Sequence, residues 1–166
     1  NPPLYIKSIA ENHTSPLKKK RIRNTFDIQR RIKVNASNLI DGDEYLRWFH
    51  QATYTVDSAG EDLGRNDFVW SAFKSQQAGE YAVKALLRAL GLPSFGHSIL
   101  MLLKELAKAG FEVTEEIYAA ARDLDHHYIP PRYPDAFPAG SPFDFYDRKT
   151  AEAAYEAAKL LISYVR

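Results

Sequence analysis

From Asp41 to the end of the chain, apolar side chains return every three or four positions in five blocks, and each internal break carries glycine or proline. A 3.6-residue repeat puts such side chains on one face of a helix, and no segment shows the two-residue alternation of a strand. The first block opens with Asp41 and Glu44 at capping-box spacing, runs through Leu46, Phe49, Thr53, Val56, Gly60 and Leu63, and closes at Gly64, where a left-handed C-cap is expected. Asn66 or Asp67 caps the second, whose stripe is Val69, Phe73, Gln76, Glu80, Val83, Leu87 and Leu90, ended by Gly91 and Pro93. The third spans about Ser98 to Ala109 through Ile99, Leu102, Leu103 and Leu106, and Gly110 stops it. Thr114 caps the fourth, with Glu115 and Glu116 at its positive end, and its stripe Ile117, Ala121, Leu124 and Tyr128 meets Pro130 and Pro131. The last follows Asp147 with Ala151, Ala154, Tyr155, Ala158, Leu161, Ile162 and Val165. Five such helices joined mostly by short loops predict an all-α, five-helix, up-and-down antiparallel bundle. The alanine face of the last helix permits close helix approach inside the bundle or across a dimer. With Trp48 and Trp70 as core or interface anchors, it predicts a homodimer.

Charge divides the chain at the same place. Residues 1–40 carry nine basic against two acidic side chains, and residues 41–166 carry thirteen against nineteen. The first part lacks a sustained period beyond a short helix or strand around Phe26–Val34, so it is expected to form a basic N-terminal tail or extension outside the 41–166 bundle. The absence of cysteine excludes disulfides, cysteine-ligated zinc and a thiol nucleophile, and it suits a reducing cytosol. No apolar run approaches the roughly 18 residues of a membrane span, and no signal-peptide order is present, so a cytoplasmic, non-membrane protein is expected.

One connection stands apart. Residues 129–146 hold five of the nine prolines and five aromatic side chains. Loops this long are uncommon in compact domains unless they pack or work. Proline lowers the entropy lost on folding and aromatic rings supply area to bury, so an ordered, packed loop is predicted.

Two segments could carry chemistry. Gln76 and Glu80 lie one turn apart on an otherwise apolar stripe, where an unpartnered polar group costs a few kcal/mol, on the order of 1–3. Glu80 and Lys84 are spaced to pair. The cluster, with Gln77, reads either as a hydrogen-bonded layer that sets helix register or as a polar pocket. Further on, Arg122 and His127 offer a guanidinium for phosphate and an imidazole for proton transfer, which would suit attack by a ribose 2′-hydroxyl. Asp123 and Asp125 read as helix-end solvation or as partners of Arg122. His126 and His127, about 100° apart around a helix, make a poor metal pair, so no metal is expected. His97, near the start of the third helix, suits an N-capping or loop-bonded role, or an anion contact. No phosphate-cradling glycine loop, nucleophile elbow or zinc-protease motif occurs, and no cofactor is expected.

Three blocks in series, WSAFKSQQAGEYAVKALLRALG, HSILMLLKEL and ARDLDHHYIPPRYPDAF, resemble the HEPN domain, in the branch with a Gln-Gln-Ala-x-Glu helix and an Arg-Tyr-Pro-Asp loop. The resemblance covers about Glu44 to Val165. It implies a five-helix bundle like the C-terminal part of kanamycin nucleotidyltransferase, usually dimeric, and often acting with a minimal nucleotidyltransferase in a toxin–antitoxin-like pair. It implies nucleotide or nucleic-acid binding at Gln77, Glu80 and Lys84 with Arg132, Tyr133 and Asp135. Ribonuclease branches use an arginine followed four to six residues later by histidine, a pattern that Arg122 and His127 fit. That makes a metal-independent ribonuclease the alternative, beside a purely structural dimer.

Overall fold

A computed structural model describes residues 41–166, and the basic segment 1–40 lies outside the described residues. Its helices are α1 (Gly42–Gly64), α2 (Phe68–Ala89), α3 (Ile99–Lys108), α4 (Glu115–Asp125), the one-turn α5 (Pro142–Phe145) and α6 (Arg148–Val165). The five long ones form the predicted bundle, and α2 lies at its centre, packed on α1, α3, α4 and α6. That placement explains why α2 is buried nearly all round, with small residues Ala72, Ala78, Gly79, Ala82 and Ala85 under its neighbours. A Cβ on Gly79 would come within 2.9 Å of the Leu124 and Leu161 side chains, so glycine here leaves room for the leucines of α4 and α6 against α2.

The predicted Asp41 and Thr114 cap α1 and α4, and Ser98 and Asp147 cap α3 and α6 in the same way. Asp41, Ser98, Thr114 and Asp147 accept from the amides of Glu44, Met101, Ile117 and Thr150. Asp67 occupies the N-cap of α2 without a side-chain bond. The expected capping box of α1 is half made, because Glu44 turns to Trp48 Nε1 at 3.2 Å and to Arg47 instead of back to the cap. Two other expectations about α1 also change. Gly64 is still helical, and Asn66, at φ 63°, supplies the left-handed turn. The buried face is Phe49, Ala52, Val56 and Ala59, rotated from the predicted stripe, and Leu46 is 47% exposed. Alanine at Ala52 and Ala59 draws α1 onto α2, so close packing selects that face over the one with the larger side chains.

The α4 helix stops at Asp125 and not at Tyr128. The Asp125 carboxylate is spent across the bundle on the α3 N-terminus, accepting from Ser98 Oγ (2.7 Å), Ile99 N (2.7 Å) and Leu100 N (3.2 Å). On α6, Ala151, Ala154 and Ala158 are fully buried, so the small-residue face packs inside the protomer. The proline-rich connection forms two 3₁₀ turns, Pro130–Arg132 and Pro134–Ala136, before α5, and Phe137 stacks on Phe145 at 4.2 Å. It is ordered as predicted but only partly packed, since Phe143 and Phe145 face solvent. No described helix is long and apolar enough to cross a membrane.

Candidate functional site

The buried carboxylate of Glu80, 2% exposed, organises the polar corner of α2. One turn on, Lys84 donates to Glu80 Oε1 at 2.8 Å. One turn back, Gln76 Nε2 donates to Oε2 at 3.2 Å and to the His97 carbonyl at 3.1 Å. Gln77 joins through Gln76 Oε1 at 2.6 Å and Glu80 Oε2 at 3.4 Å. The His97 ring, carried in by the α2–α3 loop, sets Nδ1 3.1 Å from Oε1 and 3.3 Å from Oε2. The helical spacing therefore satisfies the buried charge and also ties the loop to the bundle. The network is the hydrogen-bonded layer of the first reading, and it meets solvent at His97, whose side chain is 54% exposed.

A column of flat groups continues outward from that imidazole. Tyr128 stacks on His97 at 4.5 Å between ring centres and 16° between planes. The Arg132 guanidinium lies 4.3 Å above Tyr128, 4.9 Å from Phe73 and 5.1 Å from Tyr133, with Nε donating to the Tyr128 carbonyl at 2.8 Å. Pro130 and Pro131 build the 3₁₀ turn that brings Arg132 back over Tyr128. Tyr81 faces the same corner, and its phenol is pushed above its ordinary pKa by burial, with the Glu80 carboxylate and Tyr128 adding to the effect. Tyr133 is half exposed beside Arg132, and Asp135 is exposed on the second 3₁₀ turn.

The other segment is built differently. His127 is buried, 7% exposed, with Nδ1 3.1 Å from the Tyr146 hydroxyl and its ring edge-on to that tyrosine at 5.6 Å. Burial lowers the His127 pKa; Asp123 opposes that shift and His126 adds to it. Burial also pushes Tyr146 up to about 12. Arg122 is half exposed and pairs with Glu115, one of the two acids at the start of its own helix, and not with Asp123 or Asp125. Thus Gln77, Glu80 and Lys84 lie in one network, Arg132 and Tyr133 flank the column that continues it, and Arg122 and His127 are each held by partners outside it.

The binding residues read from the sequence left out His97 and Tyr128, and Gln76 entered only as part of the polar layer. The N-capping role considered for His97 falls to Ser98 and Asp125, which frees the imidazole to turn to Glu80. The signal for Gln76 was its place on the apolar stripe; that for Tyr128 was a stripe position just before a double proline.

The chain is thus a helical bundle in which a buried carboxylate lies under a stacked imidazole, phenol and guanidinium. The HEPN domain family model matches residues 45–166, and the chain belongs to that family. Among solved structures it is similar to TT1696 from Thermus thermophilus, with 41% identity and a TM-score of 0.70 over 73% of this chain and 94% of that one. It is similar to ST0689, an archaeal HEPN homologue, at 30% identity and TM-score 0.63, covering 73% and 93% of the two chains. A HEPN domain protein of Thermotoga maritima matches at 34% identity and TM-score 0.58, covering 72% and 93%. No functionally curated protein matches the chain.

Proposed function

We propose that this HEPN protein is a homodimer that binds a nucleotide or nucleic acid at the Glu80–His97–Arg132 corner and acts beside a minimal nucleotidyltransferase in a toxin–antitoxin-like pair. One observation carries the binding reading: a fully bonded buried carboxylate fixes a half-exposed imidazole at the base of a flat column that ends in a guanidinium. Planar rings suit a nucleobase, since base–aromatic stacking contributes about 1–3 kcal/mol per base. With Nε of Arg132 bonded to the chain, its terminal nitrogens supply the paired donors that suit a phosphate. The partner and the pairing rest on the resemblance; exposed Trp70, Phe95 and Met101 are apolar surface that a protein contact would cover.

Titration of the full chain with AMP, ATP and a short unstructured RNA, followed by calorimetry, tests this reading. Arg132→Ala should weaken binding at least about tenfold, the loss of a charge-assisted contact. Unchanged affinity would remove the site from consideration. Sedimentation should give a dimer, and a pull-down from native cells should recover a nucleotidyltransferase.

A further inference from the structure

We propose that the hollow between the start of α1, the end of α2 and the α2–α3 loop is a second binding site, built for a small anion with a flat apolar body: a ring that carries a phosphate or a carboxylate. The site is separate from the Glu80–His97–Arg132 corner and does not rest on the reading given above. Glu80 and Arg88 are eight residues apart on α2, about 12 Å along its axis. The hollow measures about 370 Å³, the size of a small-molecule site. Glu44 and Arg88 line it from the helices, and residues 91–95 line it from the loop.

Arg88 supplies the anion contact. Its guanidinium lies over the Trp48 ring, 4.5 Å from the centre, and Trp48 in turn meets Tyr81 edge-on at 5.9 Å. A guanidinium held on an aromatic face keeps its N–H groups for a planar acceptor such as phosphate or carboxylate. Glu44, the carboxylate that shares the hollow, is already engaged: Oε2 accepts from Trp48 Nε1 at 3.2 Å, and Oε1 meets Arg47 at 2.6 Å. Among the described residues no carboxylate pairs with Arg88. The polar ridge of α2 accounts for its place, since Gln76, Glu80, Lys84 and Arg88 follow at four-residue steps. Glu80 neutralises Lys84 at 2.8 Å, and Arg88 is the charge of that ridge left facing the hollow.

The loop supplies the apolar wall. Leu92 and Pro93 border the hollow, and Phe95 beside them is 90% exposed. The wall is preformed, because the loop is tied at both ends. Leu92 N donates to the Leu87 carbonyl at 2.8 Å, and the His97 carbonyl accepts from Gln76 at 3.1 Å. A ligand ring laid on Phe95 takes apolar surface out of water while its anionic group meets Arg88. Phe95 then serves this ligand, and Trp70 and Met101 are the apolar surface left for a protein contact.

The test titrates the full, isotope-labelled chain with phenyl phosphate, benzoate and inorganic phosphate. The two tryptophans give two indole N–H signals in the nuclear magnetic resonance spectrum. Phenyl phosphate or benzoate should move the signal of Trp48, which lies under Arg88, and leave that of Trp70. The tighter of the two probes names the anionic group. Inorganic phosphate leaves Phe95 bare and should bind at least about fivefold more weakly than phenyl phosphate, the low end for stacking on an aromatic ring. Phe95→Ala should cost the tighter probe at least about fivefold on the same ground. Arg88→Ala should cost it at least about tenfold, with melting nearly kept because the side chain is exposed. Arg88→Lys, which keeps the charge and loses the paired donors, should fall between. Arg132→Ala should leave the Trp48 shift unchanged. No Trp48 shift with any probe at millimolar concentration overturns the inference, and so does affinity that survives both Arg88→Ala and Phe95→Ala. A shift lost in Arg132→Ala but kept in Arg88→Ala overturns the second site and leaves the binding reading above standing.

Discussion

His97 and His127 both belong to the motif blocks that mark this family, and the bundle treats them in opposite ways. His97 keeps a charged partner, Glu80, and half of its side chain in solvent. His127 has a neutral partner, the Tyr146 hydroxyl, and almost no solvent. Burial without a counter-ion disfavours an imidazolium, and it lowers the His127 pKa. The contrast teaches that a histidine's place in a motif says little about its use. The fold assigns the use by choosing what lies against each ring nitrogen.

The comparison breaks most visibly at Glu80. Glu80→Ala leaves Lys84 buried without its counter-ion and strands Gln76 and the His97 ring. Chemical denaturation should show a loss of about 3–5 kcal/mol, the cost of removing one partner of a buried pair. A loss under about 1 kcal/mol would mean that the network is solvated and the corner is not preorganised.

The His127 corner should respond less. Tyr146→Phe deletes one hydroxyl and leaves Nδ1 of a buried imidazole unpaired, a cost of about 1–3 kcal/mol in thermal or urea unfolding. Ligand affinity at the His97 corner should not change. A matching fall in affinity would show that the two corners are coupled through Tyr128, which lies between His127 and the Pro130 turn in the chain.

Arg122→Ala should do least, because a half-exposed pair with Glu115 contributes at most about 1 kcal/mol and is screened by salt. Arg122→Ala should also leave RNA affinity unchanged. If instead RNA affinity collapses, the arginine-to-histidine spacing regains its functional meaning.

Acid sharpens the same contrast without truncating a side chain. The folded pKa of His127 lies below the ordinary 6.5, so the unfolded state binds the extra proton first. Stability from the neutral buried ring is therefore complete above pH 6.5 and is lost as pH falls from there towards the folded value. The wild type should lose more stability between about pH 7 and pH 5 than His127→Gln does. Equal losses would place His127 in solvent.

Sequence alone determined the helices, because their amphipathic period, caps and breakers act within a few residues of one another. Thr114, Asp147, Gly91 and Gly110 perform the local roles their positions imply. The Glu80–Lys84 and Gln76–Glu80 contacts were legible for the same reason, since one helical turn fixes their spacing. Tertiary structure decided everything that joins separate helices. It rotated the buried face of α1 towards Ala52 and Ala59, turned the alanines of α6 inward, and sent Asp125 to the α3 N-terminus. It placed His97 against Glu80, seventeen residues away, and stacked it on Tyr128, thirty-one residues further on. No periodicity encodes those distances. They follow from how closely small residues such as Gly79 let helices approach, and from which donors then lie within reach of a buried charge.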